Sequence, residues 1–180
     1  MAKEQTGISG EFWFFSQLQR LGYEAYITLG NTKGIDISVR MNNNTILTFE
    51  VKSKQNFSGS FWNLNISKSK SHYAVFIDLK SSKSILGKTT FHGEPVCYIV
   101  NSTDLDDIAF NWTSSKQAKG YGFEAKLLWH LKFQDNKSIT TKNVTDFCNR
   151  HKITGGINFP HYDKIILTLA EFEDQNYKWK

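Results

Sequence analysis

Apolar positions along the first hundred residues recur in two periods. In "SGEFWFFSQLQRLGY" (9–23), Phe15, Leu18 and Leu21 return at helical spacing beside Phe14. This predicts a first helix with Ser9 as its N-cap and a Schellman-type stop at Gly22–Tyr23. The period then falls to two: "YEAYIT" (23–28) reads as a strand, and after the polar loop "LGNTKG" the stretch "GIDISVRMNNNTILTFEVKSK" (34–54) reads as two strands around an Asn-rich turn. The polar and aromatic "NFSGSFWNLNISKSKS" is expected to hold a short helix. "HYAVFIDL" (72–79) and "PVCYIV" (95–100) are the clearest buried strands, and "STDLDDIA" carries the capping signal of another helix. "FEAKLLWHLKF" fits neither period, "TKNVTDFCNRHK" reads as a short helix, and "YDKIILTL" reads as a strand leading into a polar, aromatic tail open to helix. The order predicts an α/β or mixed α+β domain around a central sheet.

Length and composition narrow this reading. The 180 residues fit one domain, with a core at about 9–100 and an elaboration at about 101–180, and 39% apolar with 14% aromatic residues suits a folded globule. No apolar run is long enough to span a membrane. The N-terminal "MAKEQTGISGE" lacks the apolar centre of a secretory signal, which predicts a cytoplasmic protein. Cys97 and Cys148 stand far apart in no metal-like pair, and Cys97 in "PVCYIV" reads as a buried thiol. The net charge of +5 suits a polyanionic partner such as nucleic acid. Other chemistries lack their motifs. There is no G-x-S-x-G, "KITGGINF" lacks the Lys-Ser/Thr of a phosphate loop, and the five histidines show no H-E-x-x-H or H-x-H spacing.

The 34–54 hairpin carries charge where a core strand carries aliphatics. Side chains alternate faces along a strand, so Ile35, Ile37 and Val39 share one face, and Asp36, Ser38 and Arg40 the other. In the second strand Leu47, Phe49 and Val51 are opposed to Thr48, Glu50 and Lys52. A turn centred on Asn43 pairs Ser38 with Thr48 and sets Asp36 opposite Glu50. Like charges directly opposite each other are destabilising. A divalent cation offsets that repulsion, and Mg²⁺ favours one or two carboxylates together with water and phosphate oxygens. Lys52 adds an ammonium on the same face. The plainer alternative is a solvated hairpin face with a Glu–Lys neighbour pair, because E-x-K alone has little specificity.

A helix with Gly10-Glu11 near its start, then "GID", then "FEVK", resembles the PD-(D/E)XK nuclease superfamily, which includes restriction endonucleases and Holliday junction resolvases. The resemblance covers roughly residues 9 to 80, and Ile35 stands in place of the proline of the family name. It implies a restriction endonuclease-like α-β-β-β-α-β core, a mixed sheet flanked by helices, with Asp36 and Glu50 holding Mg²⁺ (Mn²⁺ substituting) and Lys52 directed at the attacking water. Glu11 would complete the acidic cluster, and the Val51 carbonyl would be a further metal ligand. The implied activity is Mg²⁺-dependent endonucleolytic hydrolysis of DNA. Lys33, Lys54, Gln55, Lys68 and Lys70 are candidates for contacts to the nucleic acid, and Trp62 or Phe61 for stacking on a base. RNA as substrate and a homodimeric assembly stay open. So do a catalytically silent nucleic-acid-binding module and a protein-interaction module on the same fold.

Overall fold

A computed structural model describes residues 3–28, 34–55, 61–64, 70–83, 89–91, 93–105, 110–114, 118–124 and 166–176. Lys33, Lys68, Cys148 and the segments "TKNVTDFCNRHK" and "KITGGINF" lie outside them.

Helix α1 spans Lys3–Arg20 and starts six residues before the expected cap. Ser9 is therefore inside the helix, where its hydroxyl donates back to the Gln5 carbonyl at 2.7 Å, the usual recourse of a serine in a helix interior. The stop falls where expected. Gly22 has φ +84, the Gly22 N–H donates to the Gln19 carbonyl at 2.9 Å, and the Tyr23 N–H donates to that of Leu18 at 3.0 Å. This pair of bonds is a Schellman motif, and glycine adopts the left-handed conformation it requires at little cost.

Strands β1 (Glu24–Ile27), β2 (Ile37–Arg40), β3 (Ile46–Lys54), β5 (Tyr73–Asp78), β8 (Val96–Asn101) and β11 (Ile166–Leu167) form a six-stranded mixed sheet in the order β1-β2-β3-β5-β8-β11. β3 and β5 run parallel, and the other neighbours in this sheet are antiparallel. The expected short helix after the hairpin is replaced, among the described residues, by strand β4 (Phe61–Leu64). It pairs with β10 (Ala118–Glu124), which also pairs with β9 (Phe110–Ser114). Strands β6 (Ser81–Lys83) and β7 (Thr89–Phe91) form a separate pair. The "STDLDDIA" segment begins as a 3₁₀ turn at Ser102–Asp104. Its cap is Asn101, whose side chain accepts from the Thr103 N–H.

The core lies on one face of the main sheet. Phe49 is its hub, edge-on to Phe14 of α1 at 5.4 Å, stacked on Tyr73 at 5.4 Å, and edge-on to Phe172 at 5.6 Å. Phe172 belongs to helix α2 (Leu169–Asn176), so the C-terminal residues help build this core. Thr168 and Glu171 form a capping box at the start of α2, with the Thr168 N–H donating to the Glu171 carboxylate at 2.7 Å and the Glu171 N–H to Thr168 Oγ1 at 3.3 Å. The opposite face is covered over β5 and β8, where Trp62 of β4 packs on Phe76 and Tyr98.

Helix α1 reaches β3 at Gly10. A Cβ there would overlap the Ser53 side chain, and the Ser53 hydroxyl donates to the Thr6 carbonyl at 2.6 Å. Replacing an interior helix glycine by alanine ordinarily stabilises a protein by up to about 1 kcal/mol. At Gly10 the sign should reverse, because overpacking a close contact typically costs about 1–3 kcal/mol. Gly7 has nothing within 4 Å of its would-be Cβ and serves as the contrast. Urea unfolding followed by circular dichroism should show Gly10→Ala less stable than wild type and Gly7→Ala equal or more stable. Equal gains in both variants would mean that α1 does not touch β3 at Gly10.

Candidate active site

The hairpin that carries the site closes through a three-residue loop. The Met41 N–H donates to the Thr45 carbonyl at 2.9 Å and the Asn44 N–H to that of Met41 at 2.8 Å. Asn44 takes φ +62, a left-handed position that asparagine tolerates better than most residues. The Asn43 side chain accepts from the Thr45 N–H at 2.9 Å. This turn fixes the pairing of Ser38 with Thr48 and of Ile37 with Phe49, the register expected from matching the apolar faces.

At Asp36 the simple ladder ends. The Asp36 N–H donates to the Phe49 carbonyl at 2.8 Å, although Phe49 is already the register partner of Ile37. Two residues of one strand thus face one of the other, as in a β-bulge, a device that re-aims a side chain. The expected side-by-side opposition of Asp36 and Glu50 gives way to a different arrangement: Asp36 Oδ2 accepts the Val51 N–H at 2.7 Å. The carboxylate caps the first amide of β3 beyond the end of the ladder. On its other side, the Asp36 carbonyl accepts from the Thr28 N–H at 3.0 Å and from Thr28 Oγ1 at 3.2 Å, and Thr28 Oγ1 also donates to the Ile35 carbonyl. Asp36 is held from both neighbouring strands.

Glu50 is 7% exposed. One oxygen, Oε1, lies 2.8 Å from Lys52 Nζ, whose side chain is 33% exposed. The other, Oε2, is buried with no hydrogen-bond partner among the described residues. A buried acceptor left unpaired costs about 1–3 kcal/mol, and more when it is charged, so this oxygen calls for an explanation. Glu11, half-buried on α1, lies within range of the same charges. Burial raises its pKa first and the Asp36 charge raises it further, while Lys52 pulls it down. Burial is also the largest influence raising the pKa of Asp36. The Val51 N–H and Lys52 oppose it, and Glu50 adds to it. Glu11, Asp36, Glu50 and Lys52 therefore form one electrostatic cluster, drawn from α1 and the hairpin.

The remaining candidates are placed differently. Lys54 is buried, with its ammonium 4.4 Å from the centre of the Trp62 ring, and its register partner on β5 is the buried Asp78. It is turned into the protein rather than toward a flanking phosphate. Trp62 is 2% exposed, so its ring packs on Phe76 and Tyr98 instead of offering a face to a base. Gln55 is half-buried at the end of β3, and Lys70 is exposed ahead of β5. The side chain of Phe61 lies outside the described residues. His72 was not singled out by sequence, yet its Nδ1 accepts the Thr48 N–H at 3.2 Å and lies 2.8 Å from the Thr48 hydroxyl. The signal for it was positional: His72 immediately precedes the strand that runs parallel to β3.

Among the described residues, no group of three or more His, Cys, Asp or Glu side chains is arranged to hold a metal ion. The donors present are two carboxylates in different settings, Asp36 bonded to a backbone amide and Glu50 with one buried oxygen unsatisfied. Hard oxygen donors in that number fit Mg²⁺, which keeps several of its waters. The unpartnered Glu50 Oε2 is the atom such an ion would satisfy.

The raised pKa values of Asp36 and Glu11 carry a testable sign. Where a carboxylate's folded pKa exceeds its unfolded value, the folded state binds the proton more tightly, so stability falls as pH rises through that window. Asp36→Asn, which keeps an acceptor for the Val51 N–H, and Glu11→Gln should each stabilise the metal-free protein at neutral pH. The gain should vanish below about pH 4, where the wild-type carboxyl groups are protonated even when unfolded. Thermal unfolding in EDTA across pH 3–8 measures this. A gain that persists unchanged at acid pH would show that charge is not its origin.

No protein-family model and no curated protein matches this chain, so the reading of the site rests on its own residues.

Proposed function

We propose that the protein is a Mg²⁺-dependent endonuclease that hydrolyses phosphodiester bonds of DNA, in the manner of restriction- or resolvase-like members of the PD-(D/E)XK superfamily. The observation that carries this reading is Glu50 Oε2: a buried carboxylate oxygen without a hydrogen-bond partner among the described residues, beside a lysine and within the field of the Asp36 carboxylate, which Glu11 shares. A solvated hairpin face leaves no acceptor in that state. Helix α1, the three antiparallel strands β1 to β3 and a parallel neighbour β5 are in keeping with the α-β-β-β-α-β order, although the described part of the β3–β5 connection is a strand.

Asp36 and Glu50 are the residues that would hold the ion. When bound, Mg²⁺ makes a nucleophile available at neutral pH and neutralises charge that builds on the phosphate. The protein's own groups supply position. The bulge and Thr28 fix the Asp36 backbone, and the buried Phe49 fixes the peptide that carries Glu50. Lys52 is anchored on Glu50 Oε1 while a third of its side chain stays open to solvent, so its ammonium can meet a phosphate oxygen or the attacking water. Glu11 adds negative charge from the helix side.

Incubation with supercoiled, linear and branched DNA in Mg²⁺, Mn²⁺ or EDTA tests the reading. Cleavage is expected with either ion and none in EDTA. Glu50→Gln and Lys52→Ala should each slow cleavage by roughly a hundredfold or more, the scale of losing one positioned electrostatic group. Calorimetry with Mn²⁺ should show binding lost in Asp36→Asn and retained in Lys52→Ala, because the lysine serves water and phosphate rather than the ion. A wild-type protein that binds no divalent ion and cuts no form of DNA would overturn the proposal. One that binds DNA without cutting it would be the silent module instead.

A further inference from the structure

The register of the hairpin defines a surface next to the cluster. Odd-numbered residues of β3 face the core, so its even-numbered residues Ile46, Thr48, Glu50 and Lys52 share the opposite face. Ser38 pairs with Thr48 and with Tyr26, and Arg40 pairs with Ile46 and with Glu24. These residues therefore lie on the same face as Glu50. Toward β5 and β8 that face is covered by Trp62. Toward β1 and β2 it opens into a cleft of ≈ 590 Å³ lined by Tyr26, Ser38, Arg40, Asn44 and Ile46. Glu50 stands at the border between the two halves. Strand rise places Thr48 about 7 Å and Ile46 about 13 Å from Glu50 along β3, a span of a few nucleotides.

Building on the endonuclease reading, we propose that this cleft binds the DNA strand next to the scissile phosphate, with Arg40 on a backbone phosphate and Tyr26 and Ile46 against a base. Three observations favour that occupant. Arg40 is exposed on a chain of net charge +5, and its guanidinium donates to Asn44 Oδ1 at 3.1 Å, so the turn that closes the hairpin also orients the cation. The acid that faces it, Glu24, accepts the Tyr26 hydroxyl, which gives that carboxylate a partner other than Arg40. Tyr26 and Ile46 are 52% and 56% exposed, large apolar surfaces left on the open half of the face. Between them and Glu50 lie the hydroxyl of Ser38 and the Thr48–His72 pair. There the Thr48 N–H donates to His72 Nδ1, and the Thr48 hydroxyl lies 2.8 Å from the same nitrogen. A cation, apolar faces and neutral donors in a row beside a phosphate-directed lysine match a polynucleotide backbone and its bases.

The test is fluorescence anisotropy of labelled single-stranded and duplex oligonucleotides, titrated over a range of salt in EDTA and in Mg²⁺. Wild type is compared with Arg40→Gln, Tyr26→Ser and Arg20→Gln. Arg20, exposed at the end of α1, is a control with the same change of charge. Arg40→Gln should weaken binding and flatten the log–log salt dependence by about 0.9 on duplex, the loss of one phosphate contact. Tyr26→Ser should weaken binding roughly fivefold or more with the salt slope unchanged, as expected for a lost base contact, and should raise the DNA concentration that half-saturates cleavage. Arg20→Gln should behave as wild type. If Arg40→Gln and Tyr26→Ser bind like Arg20→Gln while wild type cuts DNA, the cleft proposal is wrong and the endonuclease reading stands. If wild type neither binds nor cuts DNA in either buffer, both fall together.

Discussion

Phe49 and Glu50 are neighbours in the chain and opposites in environment. The Phe49 ring is closed in by Phe14, Tyr73 and Phe172, and large aromatic residues dominate core energetics of this kind. That anchorage settles which face of β3 looks inward. Because the side-chain period is two, it also fixes Glu50 and Lys52 on the other face, and a one-residue slip would turn both charges into the aromatic core. The contact of Gly10 with Ser53 sets the height of α1 over the same strand, and so brings Glu11 into the field of Asp36 and Lys52. The acidic cluster follows from packing on the far side of the sheet.

The bulge at Asp36 changes how substitutions there should be read. A carboxylate in a simple repelling pair would be removed at no cost to the fold. This one accepts the Val51 N–H, so truncation to alanine strips a part-buried amide of its partner, at a cost of about 1–3 kcal/mol, while relieving charge repulsion. The two effects oppose each other, and only an isosteric amide separates them. Asp36 thus belongs both to the architecture and to the charged face, whereas Lys52, paired with Glu50 and partly in solvent, belongs to the charged face.

Much of this was legible in the sequence. The register of the hairpin, the buried strands at 73–78 and 96–101 and the glycine stop of α1 all rest on local patterns with strong contrast between apolar and polar positions. What escaped depends on contacts the pattern does not encode. Alternation assigns faces, but it does not show where a ladder ends, so the bond from Asp36 to Val51 was invisible. Ser9 has the chemistry of a cap and also that of an interior serine bonding back to the preceding turn. Lys54 reads as exposed from β3 alone. It is buried because Trp62, in a stretch expected to hold a short helix, lies on a strand that folds over that end of the sheet. The surroundings of Lys54 thus depend on an element that the local pattern does not reveal.

The covering of half the face has a consequence for Glu50 itself. Over β5 and β8 the polar face of the sheet is dry enough to bury Lys54 and Asp78, and over β1 and β2 it is open to solvent. At the border one Glu50 oxygen is satisfied by a lysine that reaches solvent, and the other is buried with no hydrogen-bond partner among the described residues. An acceptor in that state is one that a bound cation would satisfy. Trp62 covers the β5 and β8 side of that border by packing on Phe76 and Tyr98. Its ring also meets the Lys54 ammonium, and Lys54 follows Lys52 by two residues on the same face of β3, so the aromatic cover comes within one side-chain step of the Glu50–Lys52 pair.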